Sequence, residues 1–176
     1  DKRDIPFTYS LAQSFPIGER HFCSVLGQTF PNRCYFFAGT SSGTINDTIA
    51  QAPPAGGTIF DRLDAHDINW AVYFQSEPSL VVAPGAATPA RASRIRSFDS
   101  FVSDVAAGHL PQFTFIDPNY DTTSEENPQD IAHGEAFSSA VINAVMHGPA
   151  WESTLLVWTY DEHGGYYDHV PPPAAV

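Results

Sequence analysis

The chain has 176 residues, 43% of them apolar, and a formal net charge of −12 set by 20 acidic and 8 basic side chains. That length suits one domain with a single substantial core, and the ordinary apolar content excludes a disordered tail. No stretch reaches the roughly 18 to 20 apolar residues of a membrane-spanning helix, and the scarcity of Lys and Arg argues against nucleic acid as a partner.

In chain order, the pattern predicts a helix over Ile5 to Phe15, with Ile5, Tyr9, Leu11, Ala12 and Phe15 on its apolar face and Pro6 in the first turn. Cys34 to Ala38 reads as an apolar, aromatic strand that runs into Gly39-Thr40-Ser41-Ser42-Gly43. A short helix over Thr58 to His66 and a strand over Asn69 to Phe74 follow. The Ala-, Pro- and Ser-rich stretch from Glu77 to Ser97 is expected to be a mobile excursion carrying Arg91, Arg94 and Arg96 on the surface. Ser97 to Ala107 is expected to be a helix capped by Ser97 and stopped by Gly108, with Phe98, Phe101, Val102 and Val105 on one face. Gln112 to Asp117 reads as a strand, Ala132 to Met146 as a helix, and Thr154 to Tyr160 as a buried strand. Alternating helices and strands imply a parallel sheet covered on both faces, with strand ends at Thr40, Asp117 and Asp161 opening toward one cleft.

The densest chemistry lies in Y-D-E-H-G-G-Y-Y-D-H-V-P-P-P, from Tyr160 to Pro173. Two adjacent carboxylates, Asp161 and Glu162, repel unless a cation lies between them or one is protonated. A divalent metal is the simpler resolution, and in a chain poor in Lys and Arg it would also supply positive charge for a phosphate. Gly164 and Gly165 let the backbone approach a ligand closely. The hydroxyls of Gly39 to Gly43 read either as an ordinary turn or as a nucleophile presented on one. G-x-S-x-G, the P-loop and the dinucleotide fingerprint are all absent. Cys23 and Cys34 lack redox or zinc-finger spacing and read as small apolar groups, with a disulfide left open. His66, His109 and His147 read as capping or solvated residues, whereas His21, His133, His163 and His169 remain candidates.

The same fourteen residues resemble the signature of the phosphoesterase family that contains non-specific phospholipases C and a group of acid phosphatases. The resemblance extends in order through F-C-S-V-L-G-Q-T-F-P-N-R, A-G-T-S-S-G, T-I-F-D-R-L, L-P-Q-F-T-F-I-D-P and D-I-A-H-G-E-A-F, and so through nearly the whole chain. It implies a three-layer α/β/α sandwich of the alkaline-phosphatase type with a mostly parallel sheet. The implied activity is metal-assisted cleavage of phosphate mono- or diesters by a hydroxyl nucleophile. Carried over residue by residue, Thr40 is the nucleophile with Ser41 beside it, Asp161 and Glu162 hold a divalent metal ion, and His169 stands near the substrate or leaving oxygen. Asn127 stands before Pro128 where relatives carry a phosphate-contacting His, and can hydrogen-bond but not shuttle a proton.

The family's N-terminal Glu-Asn metal motif has no counterpart here. Residues 1–176 are therefore expected to be one phosphoesterase domain cut from a longer parent, lacking that motif and a C-terminal region. The resemblance alone implies a secreted or periplasmic protein acting on a phospholipid headgroup or a soluble phosphate ester. The alternative is a catalytically inactive fragment or a phosphate- or metal-binding module.

Overall fold

Strand β1 (Trp70–Phe74) is buried along nearly its whole length, as a central parallel strand covered on both faces must be. In the computed structural model, which describes residues 1–174, it is flanked in parallel by β2 (Ile95–Ser97) and β3 (Phe113–Asp117), with Val72 level with both Ile95 and Phe115. Ala175 and Val176, which the expected domain includes, lie outside the described residues.

The alternation of β1 builds two cores. Trp70 and Val72 face Phe37 of helix α2 (Thr29–Ala38), Phe60 of α3 (Ile59–Ala65), and Leu80, Ala83 and Ala86 of the following connection. Ala71 and Tyr73 face Phe101 and Val105 of α4 (Phe98–Ala107) and Val145 of α5 (Ile131–His147). Helix α1 (Pro6–Ser14) lies against α5, where the Thr8 amide donates to the buried Glu135 carboxylate at 2.9 Å. Helices on both faces of a parallel sheet give the expected α/β class and its three layers.

Three expectations are corrected. Cys34 to Ala38 is the second half of helix α2, not a strand. Its buried residues Pro31, Cys34 and Phe37 recur at helical spacing, and a short apolar run cannot by itself separate the two periods. Gly39, left-handed at φ 66°, ends the helix. Thr154 to Tyr160 is extended but joins no ladder among the described residues. Leu156 packs on the second core and Trp158 Nε1 donates to Ser138 Oγ, while Leu155 and Val157 are 90% and 74% exposed. An apolar run on both faces predicted burial on both, and only one is covered here. Ser97 does occupy the N-cap position of α4, without a side-chain capping bond, and Val102 is exposed at the border of the packed stripe.

The third correction concerns the basic stretch. Residues 79–82 and 89–94 form 3-10 turns, and Arg91 is 8% exposed, not a surface cation. Its guanidinium donates to Asp61 and Asp64, both at 2.7 Å, and to the carbonyls of Gly85 and Ala86. Arg94 and Arg96 are half-buried, the first over the Trp70 ring and the second paired with Asp104. Asp61 also closes a reciprocal cap with Thr58, accepting from its amide at 2.6 Å.

Burial pushes the Asp61 carboxyl up, but the Thr58 and Arg91 donors prevail and hold it at about 2; Asp64 is lowered in the same way against burial, by Trp70 and Arg91. Both folded values lie below the unfolded carboxylate value of about 3.9. Their stabilisation is therefore present above about pH 4 and is lost as pH falls toward 2. The thermal midpoint is expected to drop across that window, and Asp61→Asn to lower it at pH 7 while flattening its acid dependence; a variant with the parental acid profile would contradict the assignment.

Candidate functional site

Asp117 closes strand β3, so the sheet delivers it to the carboxyl edge, where α/β proteins bind ligands. Its side chain is 1% exposed, and a carboxylate so buried needs a full set of donors. Ser79 donates to Oδ2 through its amide and its hydroxyl at 2.8 and 2.9 Å, while Tyr120 Oη and Arg33 Nη1 donate to Oδ1 at 2.8 and 2.9 Å. Arg33, 14% exposed, extends from the second turn of α2. Its Nη1 also donates to Tyr120 Oη at 2.6 Å, its Cζ lies 4.9 Å from the Tyr120 ring centre, and its Nε donates to Asp161 Oδ2 at 2.7 Å. Burial would push the guanidinium down, yet the charges around it, Asp161 foremost, hold it above its ordinary value. Burial and the Asp117 charge push the Tyr120 phenol up.

Asp161 and Glu162 each give one oxygen to a different partner. Asp161 turns to Arg33, while Glu162 Oε2 accepts the Gly164 amide at 2.8 Å in a loop that Gly164 and Gly165 complete with left-handed φ of 62° and 76°. Negative charge gathers around them. Burial first, then Asp161, Glu162 and Asp47, pushes the Glu126 carboxyl up. Burial and Glu162 likewise raise the Cys23 thiol, which belongs with Cys34 to the free cysteines. The loop after Thr40 returns to the start of α2, where Asp47 Oδ1 accepts the Phe30 amide at 2.8 Å.

The other residues named from sequence are distributed as follows. Asn127 reaches the glycine loop, its amide donating to Gly164 O at 3.4 Å and its Oδ1 accepting from Tyr166 Oη at 3.0 Å. Thr40 follows the C-terminal end of α2, its Oγ1 accepting the Ser42 amide at 3.1 Å. Ser41 is 5% exposed and its carbonyl closes a turn with Thr44. From Arg33 the helix rises five residues to Ala38, about 7.5 Å along the axis, and Thr40 lies beyond the Gly39 cap. His169 is solvent-exposed beside Asp168, and His163 Nδ1 accepts the Gly165 amide at 2.7 Å. Neither imidazole joins the Arg33 cluster.

Sequence reasoning missed Arg33 and Tyr120. Thr29 opens α2 one turn before Arg33, on the same helix face. The signal was the P-N-R run, whose helical setting the strand reading of Cys34 to Ala38 concealed.

Carboxylates are hard oxygen donors of the kind a divalent cation takes. Arg33 and Gly164 each engage one carboxylate oxygen, leaving Asp161 Oδ1 and Glu162 Oε1 for such an ion. Among the described residues no group of three or more His, Cys, Asp or Glu side chains is gathered to hold a metal. The pair therefore fits a divalent cation as part of a ligand shell and does not complete one.

The model of the phosphoesterase family matches residues 1–176. The chain is 35% identical to non-specific phospholipase C6 of Arabidopsis thaliana over 96% of its own length and 34% of the relative's, and 31% identical to non-specific phospholipase C5 of the same plant over the same shares. It is 30% identical to the non-hemolytic phospholipase C of Pseudomonas aeruginosa over 99% of its own length and 29% of the relative's. The chain thus spans about a third of the length of the curated relatives it matches.

Asp117→Ala strands the Arg33, Tyr120 and Ser79 donors, and the loss of one partner from a buried ion pair costs about 3 kcal/mol or more. Urea unfolding is expected to show a loss of that size; less than about 1 kcal/mol would mean that Asp117 does not carry the cluster.

Proposed function

The chain belongs to the phosphoesterase family, and from that premise we propose that the protein hydrolyses phosphate esters as a phospholipase C or acid phosphatase does, with a chain hydroxyl as nucleophile. The observation that carries this reading is the tie, through Arg33, of the Asp161–Glu162 pair to Asp117 at the carboxyl edge of the sheet. A divalent cation held by Asp161 and Glu162 would lower a hydroxyl's pKa and neutralise a phosphoryl oxygen.

The remaining steps are assigned to this chain's own side chains. Asn127 donates its amide to a phosphoryl oxygen, exchanging the long bond to Gly164 O for a stronger one, while Tyr166 keeps the amide's Oδ1 occupied. His169, exposed beside Asp168, delivers a proton to the leaving oxygen. For the attacking oxygen the family resemblance marks Thr40, with Ser41 beside it. A second reading is Thr29, because Arg33, which holds Asp161, stands one turn after it on the same face of α2. Phosphate esters in general, whether lipid headgroups or soluble monoesters, satisfy these contacts. No helix of the described residues is long and apolar enough to cross a membrane, and action in the periplasm or outside the cell belongs to the same proposal on family resemblance alone.

Release of p-nitrophenol from its phosphate mono- and diesters by the protein carrying this chain tests the reading. Chelation is expected to remove activity and a divalent metal to restore it, and Asp161→Asn and Glu162→Gln each to lower kcat/KM at least a hundredfold. Binding of phosphate or metal without turnover would overturn the enzyme and leave a binding module. Thr29→Ala is expected to lower kcat at least a thousandfold and Thr40→Ala less than tenfold; the reverse order would return the nucleophile to Thr40.

A further inference from the structure

The segment from Thr154 to Val170 carries the carboxylate pair, yet among the described residues it joins no strand ladder. Apart from Leu156 on the second core and the Asn127 bond to Gly164 O, its side-chain ties to the body of the fold are Trp158 to Ser138, Tyr160 to Glu125, Tyr166 to Asn127 and the Arg33–Asp161 ion pair. Only the last is charged at both ends and reaches the sheet edge. Arg33 is itself clamped: Nη1 serves Asp117 and Tyr120 together, and the guanidinium carbon lies over the Tyr120 ring. With one edge of a rigid, planar group fixed by a buried partner, the direction of Nε–H is fixed too.

We infer that Arg33 is the positioning residue of the reaction: it transfers the register of the β3 terminus to Asp161, holding Oδ2 so that Oδ1 faces outward for its ligand. The inference rests on the phosphate-ester reading for its kinetic consequence and stands apart from it for the structural one. A guanidinium can bridge Asp117 and Asp161 because its donors diverge, whereas an ammonium is a single point that can follow only one of them well. Lysine would therefore keep the buried charge balanced while losing the directional hold on Asp161.

The test compares Arg33→Lys and Arg33→Met with the parent by hydrogen exchange and by kinetics. In both variants the amides of Asp161 to Gly165 are expected to exchange at least tenfold faster while those of β1 and α5 stay within twofold. With a p-nitrophenyl phosphate ester, kcat is expected to fall at least a hundredfold in the Met variant and tenfold in the Lys variant, with KM within threefold. Uniform acceleration across all elements in the Lys variant would show a merely structural role and overturn the inference. So would exchange at Asp161 to Gly165 within twofold of the parent. If the Met variant does not fold, the Lys variant decides by the same criteria. If the parent turns over no phosphate ester, the function is wrong and the exchange result alone judges Arg33.

Discussion

A guanidinium held between two carboxylates from distant parts of the chain is the constraint on which the candidate site depends. Arg33 comes from helix α2, Asp117 from the end of β3, and Asp161 from a segment with no ladder of its own. Burying any of these charges alone would be unfavourable, so the three are stable only together, and with Tyr120 and Ser79 filling the remaining hydrogen-bond sites of Asp117. The β1 core supports this indirectly. Phe37, near the other end of α2, packs between Phe60 and Phe115, which sets where the helix and its arginine stand over the sheet.

Much of this order could be read from the residues. Strands at Trp70–Phe74 and Phe113–Asp117 and helices at Pro6–Ser14, Ile59–Ala65, Phe98–Ala107 and Ile131–His147 appear where pattern and caps put them, because each has its own stop signals: Thr58 at one start, Gly108 at one end. The failures share a physical cause. Cys34 to Ala38 is a run too short to show its period, and its five aromatic and apolar residues fit a strand as well as the last turns of a helix. Arg91 looked like a surface charge because its partners, Asp61 and Asp64, lie in another element and meet it only after folding. Arg33 was overlooked for the same reason.

At the site, the sequence identified the acid pair but not its setting. Adjacent carboxylates in a glycine-rich loop were legible as cation-binding chemistry, and the negative charge that adds to burial in raising the Glu126 carboxyl agrees with that reading. What could not be read was that one of the two, Asp161, is already half-committed to an internal cation. The helix reading of residues 29–38 bears on the proposed nucleophile as well, since it separates Thr40 from Thr29 by the length of α2 and puts Thr29 one turn from Arg33, which holds Asp161.

The central proposal is that the loop of Asp161 and Glu162, which Arg33 of α2 holds through Asp161, takes up one divalent cation. Substoichiometric manganese(II), followed by amide line broadening in NMR, tests it without reference to turnover. The account predicts that signals of residues 161 to 165 and of 29 to 33 broaden first and together. Broadening confined to the Asp61 and Asp64 end, with the glycine loop and the start of α2 left sharp, would contradict it.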